Sequence, residues 1–274
     1  MIVGPPLTKG AVRTHYDAGS VFYRWFWGRH IHHGLWEGEE TVEAAQLRLV
    51  DRLADLAGLR QGERVLDVGS GLGETAVYLA QTRRCQVVGV TLSPLQGWWA
   101  CLRSWQKNLA EQVQFLIADV ERQDWPAGSF DVVWSVECTE HLFDKAGFFR
   151  RAAGWLRRGG RLAVAAWLAK PDPQPREREV LLAICRAFLC PSLGDARDYT
   201  NWLLAGGLHI VLFEDITERV SKTWDICLER LNSSRLAKVL RRLPSARLFL
   251  QHLTTIRDAE AQGLLRYGLF VASR

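Results

Sequence analysis

The fold is decided by one stretch of the chain, Val65-Leu66-Asp67-Val68-Gly69-Ser70-Gly71-Leu72-Gly73. An apolar run, RVLDVG (64–69), predicts a buried strand, and GETAVYLAQ (73–81) predicts a helix directly after it. The glycines between them permit tight backbone angles and let a ligand lie against the chain. The helix N-terminus offers free N–H groups to such a ligand. The stretch therefore predicts a ligand-binding turn between a strand and a helix.

The same alternation continues outward from this turn. Near-continuous apolar strands are predicted at 64–69, 86–91, 113–119, 130–136 and 161–167. Helices are predicted at 41–57, 73–81, 94–109, 145–157 and 177–190, and over most of 222–257 with a break at Pro244. Strands at 208–217 and 264–274 complete the pattern. Apolar strands that alternate with helices are typical of a parallel sheet covered on both faces.

The predicted fold class is α/β, with a Rossmann-like seven-stranded sheet, mostly parallel with the last strand antiparallel, helices on both faces and an α-helical lid. We expect residues 1–60 to form an N-terminal helical cap that begins with a loose arm at 1–12. Residues 61–170 are expected to form the ligand-binding core. Residues 171–274 are expected to add lid helices and a closing β-hairpin to the same domain.

The amino-acid composition of the chain excludes several classes of function. The 274 residues carry a formal net charge of +5, but the basic residues are dispersed and no nucleic-acid reading module accompanies them, so we expect no nucleic-acid partner. The six cysteines form no CxxC pair and no metal-ligand spacing, which indicates reduced thiols. No signal peptide and no run of 18 apolar residues is present, so the sequence indicates a cytoplasmic protein.

The spacing of the glycines favours one cofactor over another. Dinucleotide-binding turns have G-x-G-x-x-G, whereas Gly69, Gly71 and Gly73 are each two residues apart. The acid Asp67, two residues before the first glycine, favours S-adenosylmethionine (SAM), because its carboxylate can orient the SAM amino group. The alternative is an ordinary strand–helix turn with no ligand.

Two further segments supply candidate cofactor contacts. Nucleotide folds usually place an acid at the end of the second strand for the ribose hydroxyls, and 90–93 contains none. Gln96 is expected to supply amide hydrogen bonds instead, while Thr91 and Leu92 pack on the adenosine. After the third strand comes Ala118-Asp119-Val120-Glu121, where Asp119 is expected to accept from the adenine amino group. A capping Asp in a loop is the alternative interpretation.

Together these residues resemble class I SAM-dependent methyltransferases over nearly the whole chain. The turn Leu156-Arg157-Arg158-Gly159-Gly160-Arg161-Leu162 is similar to the one before that family's fifth strand. A narrower resemblance is to the branch of cyclopropane mycolic acid synthases and tocopherol methyltransferases. It rests on His15-Tyr16-Asp17, Gly89-Val90-Thr91-Leu92-Ser93 with Gln96, Trp27-Gly28-x-His30-Ile31-His32-His33-Gly34, and Trp134-Ser135-Val136-Glu137-Cys138-Thr139-Glu140-His141 followed by Asp144-Lys145.

The resemblance implies roles for several residues. Tyr16 is expected to reach over the bound SAM, and Glu137 to contact it. Cyclopropane synthases hold a bicarbonate base with an N-terminal Cys and the Glu of Glu-His. The matching position here is about His33, and no Cys precedes Cys85, which disfavours cyclopropanation.

Glu140 and His141 are the candidate acid–base groups. His141 follows the fourth strand, and the ordinary pKa of histidine suits a general base near neutral pH. Glu140 is expected to orient His141 or to bind the substrate. The alternative is that both residues only cap the following helix. Tyr16, Glu140 and His141 are thus the predicted catalytic residues.

The acceptor side is less defined by the sequence. Aromatic-rich insertions at 13–36 and 171–240 predict a lid over a small, largely apolar or aromatic acceptor, and the candidate pocket residues are His33, Trp36, Tyr199 and Trp202. Such aromatic residues more often lie in the hydrophobic core than in a binding site. Three histidines at 30, 32 and 33 lack a completing ligand, so no metal is predicted. The segment 233–253 is expected to be a lid helix or a weak membrane-surface contact, and a homo-oligomer stays open.

The predicted function is SAM-dependent methyl transfer to that acceptor, at carbon or nitrogen rather than oxygen, with S-adenosyl-L-homocysteine as product. Two alternatives keep the fold: a cyclase that uses SAM structurally, and a fatty-acyl cyclopropane synthase. A non-enzymatic SAM-binding or nucleic-acid-binding module is the third alternative.

Overall fold

The computed structural model describes residues 1–233 and 244–274, with the backbone alone for 244–250. The strands are β1 (Ile2–Val3), β2 (Arg64–Val68), β3 (Gln86–Thr91), β4 (Val113–Ile117), β5 (Phe130–Val136), β6 (Leu156–Ala169), β7 (Ser192–Leu193), β8 (His209–Asp215) and β9 (Leu265–Ser273). The helices are α1 (Lys9–Phe26), α2 (Val42–Leu56), α3 (Glu74–Arg83), α4 (Pro94–Gln106), α5 (Lys145–Trp155), α6 (Pro175–Ala187), α7 (Ala196–Ala205), α8 (Thr217–Val220), α9 (Lys222–Ser233) and α10 (Pro244–Ala261).

Seven strands form one sheet in the order β4-β3-β2-β5-β6-β9-β8. The five strands from β4 to β6 are parallel to their neighbours. The last strand of the chain, β9, inserts between β6 and β8 and is antiparallel to both. The predicted fold class, a mostly parallel seven-stranded sheet with the last strand antiparallel, is confirmed.

The sequence of the central strand β2 is mostly apolar because both faces of the strand are buried. Val65 packs in the core on one face of the sheet, whereas Leu66 and Val68 pack in the core on the other face. All three are fully buried. Each burial stabilises the fold by about 1.5–3 kcal/mol, so both faces of the strand hold it in place.

The N-terminal segment is not the loose arm expected at 1–12. Ile2 is buried and pairs with Leu193, so β1 forms a small antiparallel sheet with β7. Helix α1 already begins at Lys9, and the Thr8 side chain caps it by accepting from the Ala11 amide. Despite its glycines and prolines, this segment contains two buried apolar residues, Ile2 and Val12, and one N-cap.

Two boundaries and one helix differ from the prediction. The expected helix 145–157 ends at Trp155, and the fifth strand of the pattern starts at Leu156 and not at residue 161. Leu156 is fully buried and pairs with Phe130, which draws the chain into the sheet before the glycine turn. Helix α7 was absent from the sequence-based prediction.

The C-terminal part follows the predicted order. Helices α9 and α10 cover most of 222–257, and α10 begins at Pro244, where a break was predicted. Part of the expected lid segment, residues 234–243, lies outside the described residues. Within the described ranges, no helix is both long and apolar enough to cross a bilayer.

Candidate active site

Two adjoining cavities lie beyond the carboxyl ends of the parallel strands, beneath α1. The larger has a volume of about 150 Å³ and is lined by the turn after β2, the ends of β3, β4 and β5, and the inner side of α1. The smaller cavity has a volume of about 30 Å³, and the side chain of Tyr16 from α1 lines both cavities. The chain order reverses between β2 and β5, and open α/β sheets bind ligands at such a point.

The glycine turn lines the larger cavity with bare backbone. Gly69, Gly71 and Gly73 have φ values of +79°, +51° and +77°, which favour glycine. A Cβ on Gly69 would lie 2.4 Å from the Cβ of Cys138, and one on Gly73 would lie 2.6 Å from the Cβ of Ala100. Both space and conformation therefore require glycine at these two positions.

Asp67 presents an unmatched carboxylate at this cavity. Its side chain is buried, and Oδ2 has no hydrogen-bond partner among the described residues. Burial raises its pKa to about 7. A buried acid without a partner fits a cationic ligand group such as an ammonium, because that group would satisfy both the charge and the lone pairs.

Gln96 uses its side-chain amide within the protein. Its Oε1 accepts from the Thr91 hydroxyl over 3.0 Å, and its Nε2 donates to Ser20 over 2.9 Å. Gln96, Thr91 and Leu92 all line the larger cavity. The amide that the sequence assigns to the ribose hydroxyls also ties α4 to α1.

The segment after β4 lines the same cavity through Asp119, Val120 and Glu121. Lys9 lies between the two acids, bonded to Asp119 and 2.8 Å from Glu121. Glu121 also accepts from the Asp144 amide over 2.6 Å. The two carboxylates therefore anchor the start of α1 and the loop after β5, in addition to facing the cavity.

Four side chains belong to both cavities and mark where they meet: Tyr16, Ile31, Glu137 and His141. The rest of the smaller cavity is mostly aromatic, with walls from Tyr23, Trp27, Trp167 and Phe188. Glu140 contributes a buried carboxylate to that wall. The structure thus brings the three predicted catalytic residues, Tyr16, Glu140 and His141, to one place.

Both ring nitrogens of His141 are engaged. Nδ1 lies 3.2 Å from the Leu189 carbonyl, and Nε2 lies 2.7 Å from the Tyr16 hydroxyl. A carbonyl only accepts, so Nδ1 carries the proton and Nε2 accepts from Tyr16. Burial lowers the pKa of His141 to about 4. The ordinary pKa that the sequence-based hypothesis assumed for His141 is therefore wrong in this fold.

Glu140 has the pKa expected of a base near neutrality. Its Oε1 accepts from the Trp167 amide over 2.5 Å, whereas Oε2 has no partner in the part of the chain that the structure describes. Burial raises its pKa to about 7 despite the nearby Lys145. Glu140 therefore presents an acceptor oxygen of intermediate basicity to the smaller cavity.

Glu137 and His33 form a buried pair. Oε1 of Glu137 accepts from the His33 amide, from His33 Nδ1 over 2.9 Å and from the Tyr267 hydroxyl, and Oε2 accepts from the Trp167 indole. Burial opposes charge on both side chains, but their mutual attraction lowers the pKa of Glu137 and raises that of His33. Glu137 faces both cavities with its hydrogen-bonding capacity used, and His33 stands behind it.

The four predicted acceptor-pocket residues lie outside both cavities. Trp36 donates to Thr223 over 3.0 Å. Tyr199 is fully buried, bonded to Thr139 and stacked on Phe270, and Trp202 packs beside it. Within the described chain, His33, Trp36, Tyr199 and Trp202 line neither cavity. A role for these four residues in acceptor binding stays a prediction, and neither cavity supports it.

The three neighbouring histidines make separate contacts. His30 Nδ1 lies 3.2 Å from the Thr75 hydroxyl, and His32 Nδ1 lies 2.8 Å from a backbone carbonyl. In the ranges 1–233 and 244–274, no group of three or more His, Cys, Asp or Glu side chains is placed to hold a metal ion.

Sequence reasoning missed several cavity residues. Lys9 is separated from Asp119 by 110 positions, so no local pattern links them. Trp27, Ile31, Trp167 and Phe188 line the smaller cavity. The only available signal was that Trp27 and Ile31 belong to the quoted motif at 27–34.

This fold, with a cavity at the glycine turn after β2, is typical of the class I SAM-dependent methyltransferases. The family model described as mycolic acid cyclopropane synthetase matches residues 7–264. The chain belongs to this family, and it is a SAM-dependent methyltransferase.

Named relatives agree with this class. The chain is 34% identical over 235 residues to the 27-O-demethylrifamycin SV methyltransferase of Amycolatopsis mediterranei (strain S699), covering 83% of this chain and 84% of that protein. It is 31% identical over 237 residues to the chloroplastic tocopherol O-methyltransferase of Arabidopsis thaliana, covering 80% and 68%. The predicted resemblance to tocopherol methyltransferases is confirmed.

A solved structure shares the fold at lower identity. The mycolic acid cyclopropane synthase CmaA1, in complex with S-adenosylhomocysteine and CTAB, superposes with a TM-score of 0.88. The two sequences are 21% identical, and the match covers 98% of this chain and 99% of that one. This likeness extends over the cap, the sheet and the C-terminal hairpin.

Proposed function

We propose that this protein methylates a small apolar or aromatic acceptor that carries an acidic hydroxyl group, and that Glu140 removes the hydroxyl proton. One observation carries the proposal. In the smaller cavity, the wall residue Glu140 has a buried carboxylate oxygen, Oε2, that has no partner in the described ranges.

The larger cavity suits SAM. The unmatched carboxylate of Asp67 fits the amino group, and the backbone of Gly69 and Gly71 lines the cavity beside it. We assign the adenosine part to Thr91, Leu92, Gln96 and the segment 119–121, with Tyr16 above and Glu137 at the junction. When bound, SAM supplies a methyl group that its sulfonium has already activated.

The smaller cavity suits an apolar ring. Tyr23, Trp27, Trp167 and Phe188 surround it with aromatic faces and exclude water from the junction. Exclusion of water protects the transfer and strengthens the electrostatic contacts inside the site. Its small volume indicates that part of a larger acceptor extends toward the lid or that the walls open to admit it.

Proton removal falls to Glu140 and not to His141. A carboxyl with a pKa near 7 is partly ionised at neutral pH and accepts a proton from a phenol or an enol. His141 is held as the neutral tautomer with Nε2 already bonded to Tyr16. We therefore assign His141 to positioning Tyr16 over the junction.

The sequence alone favoured carbon or nitrogen as the methylated atom, whereas the names of the two relatives described above refer to an oxygen-linked methyl group. A deprotonated phenol or enol is nucleophilic at its oxygen and at the conjugated carbon. Removal of the hydroxyl proton by Glu140 activates either atom. Transfer to oxygen then completes the reaction, whereas transfer to carbon must be followed by loss of the proton on that carbon, which regenerates the phenol or enol.

The decisive experiment incubates the protein with methyl-labelled SAM and a panel of phenolic, indolic and isoprenoid acceptors. We expect labelled product and an equal amount of S-adenosylhomocysteine with the phenolic acceptors, and a rate that rises with pH to a plateau above about pH 7. Turnover without S-adenosylhomocysteine would favour the cyclase alternative.

The variant Glu140→Gln isolates the base. It should lower kcat by roughly 10²–10⁴-fold and leave SAM affinity nearly unchanged, because it keeps the shape and removes the basic oxygen. His141→Gln is the matched control and should lower kcat less. A Glu140→Gln enzyme with normal turnover, or wild-type protein that transfers no label to any acceptor, contradicts the proposal.

A further inference from the structure

A cluster of large apolar side chains is exposed on α1 and α4, on the outside of the cap. Trp98 and Trp105 are each 68% exposed, Val21 is 65% exposed, Leu102 is 51% exposed and Trp25 is 44% exposed. We call these five residues the aromatic face. Contiguous exposed apolar surface of this kind marks an interaction site, since leaving it in water is costly.

The helical spacing puts each set on one side of its helix. Val21 and Trp25 are four residues apart on α1, and Trp98, Leu102 and Trp105 follow at intervals of four and three on α4. Residues at these intervals are neighbours on a helix surface. Each helix therefore presents a continuous apolar stripe to the outside.

The two stripes adjoin because the helices run side by side. The Asp17 carboxylate accepts from the Ser93 hydroxyl at the start of α4, and Gln96 donates to Ser20 over 2.9 Å. Farther along, the Arg24 guanidinium lies 5.1 Å from the centre of the Trp99 ring. These contacts advance in the same direction on both helices, so the two stripes lie on parallel neighbouring helices.

The charged side chains of the two helices are mostly basic. Helix α1 contains a single acid, Asp17, which is bonded to Ser93, and α4 contains none. Arg24 and Arg103 pair with Glu74, whereas Arg13 and Lys107 are exposed and have no ion pair with the described residues. The helices that carry the aromatic face thus have an excess of basic side chains.

We propose that the aromatic face docks on the surface of a lipid bilayer that contains anionic lipid. Tryptophan is favoured at the boundary between headgroups and acyl chains, and basic side chains beside it are attracted to anionic headgroups. A second copy of this chain is a poorer occupant, because a symmetric contact would bring like charges together without an acid to pair them.

Docking on this face connects to the acceptor cavity through α1. The opposite side of the same helix carries Tyr16 and Tyr23, which line the smaller cavity. An apolar acceptor dissolved in the bilayer would then reach the enzyme next to the wall of its site. This last link rests on the proposed function, whereas the docking surface does not.

The test measures lipid binding directly, by vesicle flotation and by tryptophan fluorescence. Wild-type protein should float with phosphatidylcholine vesicles that contain phosphatidylglycerol and bind less to vesicles of phosphatidylcholine alone. The double variant Trp98→Ser/Trp105→Ser should reduce the partition coefficient by about tenfold or more, because each exposed indole contributes a large buried area.

Leu204→Ser/Val211→Ser is the matched control. Leu204 is 52% exposed and Val211 is 59% exposed, both away from the aromatic face, so this variant should partition like the wild type. Both double variants should keep SAM binding, which separates failure of docking from failure of the catalytic proposal. Equal binding of the two double variants, no binding of wild type to either vesicle, or a wild-type dimer that the tryptophan variant converts to a monomer overturns the proposal.

Discussion

The Tyr16 hydroxyl donates to Nε2 of His141 across 2.7 Å, joining two residues 125 positions apart. Tyr16 comes from α1, and His141 ends the 3₁₀ turn Thr139–His141 after β5. Their rings also meet edge to face, with centroids 5.4 Å apart. The contact fixes the cap over the point where the two cavities meet, so a hydrogen bond joins the cap to the turn after β5 at that point.

Removing this hydroxyl should slow catalysis more than cofactor binding. We expect Tyr16→Phe to lower kcat by roughly tenfold, because the loss of one buried hydrogen bond leaves His141 Nε2 unsatisfied. Steady-state kinetics and calorimetry with SAM check both quantities. Tyr78→Phe loses a comparable 2.7 Å bond, to Asp51, outside the cavities and should keep full activity. Equal kcat for the two variants would disprove the positioning role.

SAM affinity should depend on pH through Asp67. The carboxyl must be ionised to pair with an ammonium, and burial holds its pKa near 7. We expect affinity to fall as pH drops below about 7 and to level off above it. Asp67→Asn should bind SAM at least about tenfold more weakly and lose this pH dependence. Calorimetric titrations across the pH range measure it, and a wild-type profile that stays flat through pH 7 contradicts the assignment.

The same residue should make the ligand-free fold less stable at high pH. The pKa of Asp67 rises from 3.8 to about 7 on folding, so the folded state favours the protonated form. Stability from this group is complete below the lower value and is lost as pH rises through the higher one. Above pH 7, Asp67→Asn should therefore raise the free energy of unfolding by on the order of 2 kcal/mol. Urea denaturation without SAM, above pH 7, measures the sign of this change in the free energy of unfolding. A variant less stable than the wild type under these conditions would refute the prediction.

Gly69 should tolerate no side chain. Gly69→Ala adds a Cβ at 2.4 Å from Cys138 in a left-handed conformation, and we expect it to destabilise the fold by about 2–4 kcal/mol. Gly58→Ala is a matched control, because Gly58 has φ +58° with nothing within 4 Å of its added Cβ. It should cost about 1 kcal/mol from conformation alone. Thermal unfolding compares the two, and equal losses would show that the contact with Cys138 is unimportant.

Lys145 should hold the turn that carries Glu140 and His141. Its buried ammonium donates to the carbonyls of Glu140 and Leu142 and to the Ser192 hydroxyl. Its charge also lowers the pKa of Glu140. Lys145→Met should therefore destabilise the fold by roughly 2–3 kcal/mol and move the rise of the pH–rate profile to higher pH.

Ser192→Ala supplies the comparison for Lys145. It removes one of the three acceptors and leaves the charge in place, so the fold should weaken slightly while the pH–rate profile stays unchanged. If the profile of Lys145→Met coincides with that of Ser192→Ala, the ammonium does not act on Glu140.

Much of the sheet could be predicted because its strands are buried on both faces. The run Val65-Leu66-Asp67-Val68 has apolar residues for both cores, and this pattern requires no knowledge of distant parts of the chain. Helix α7 was missed, although Asp195 and Asp198 form a capping box at its start. Reading that box would have identified the helix.

The site was less predictable because burial decides its chemistry. The residue type alone suggested that His141 is a base. In the fold, however, the imidazole ring is buried away from water, and this burial lowers the pKa of His141 to about 4. Aromatic content suggested Tyr199 and Trp202 for the pocket, but a sequence does not tell which side of the sheet a distant helix covers. Both residues pack in the core on the face opposite the Trp27 cluster.

The insertion of β9 has a consequence for folding. Leu265–Ser273 separates β6 from β8, and nine residues of β6 pair with it. Until β9 is paired, β6 therefore has an open edge, and β8 has no partner among the described strands of the sheet. Such edges are templates for aggregation, so the docking of β9 is the step that protects a partly folded chain from pairing with other chains.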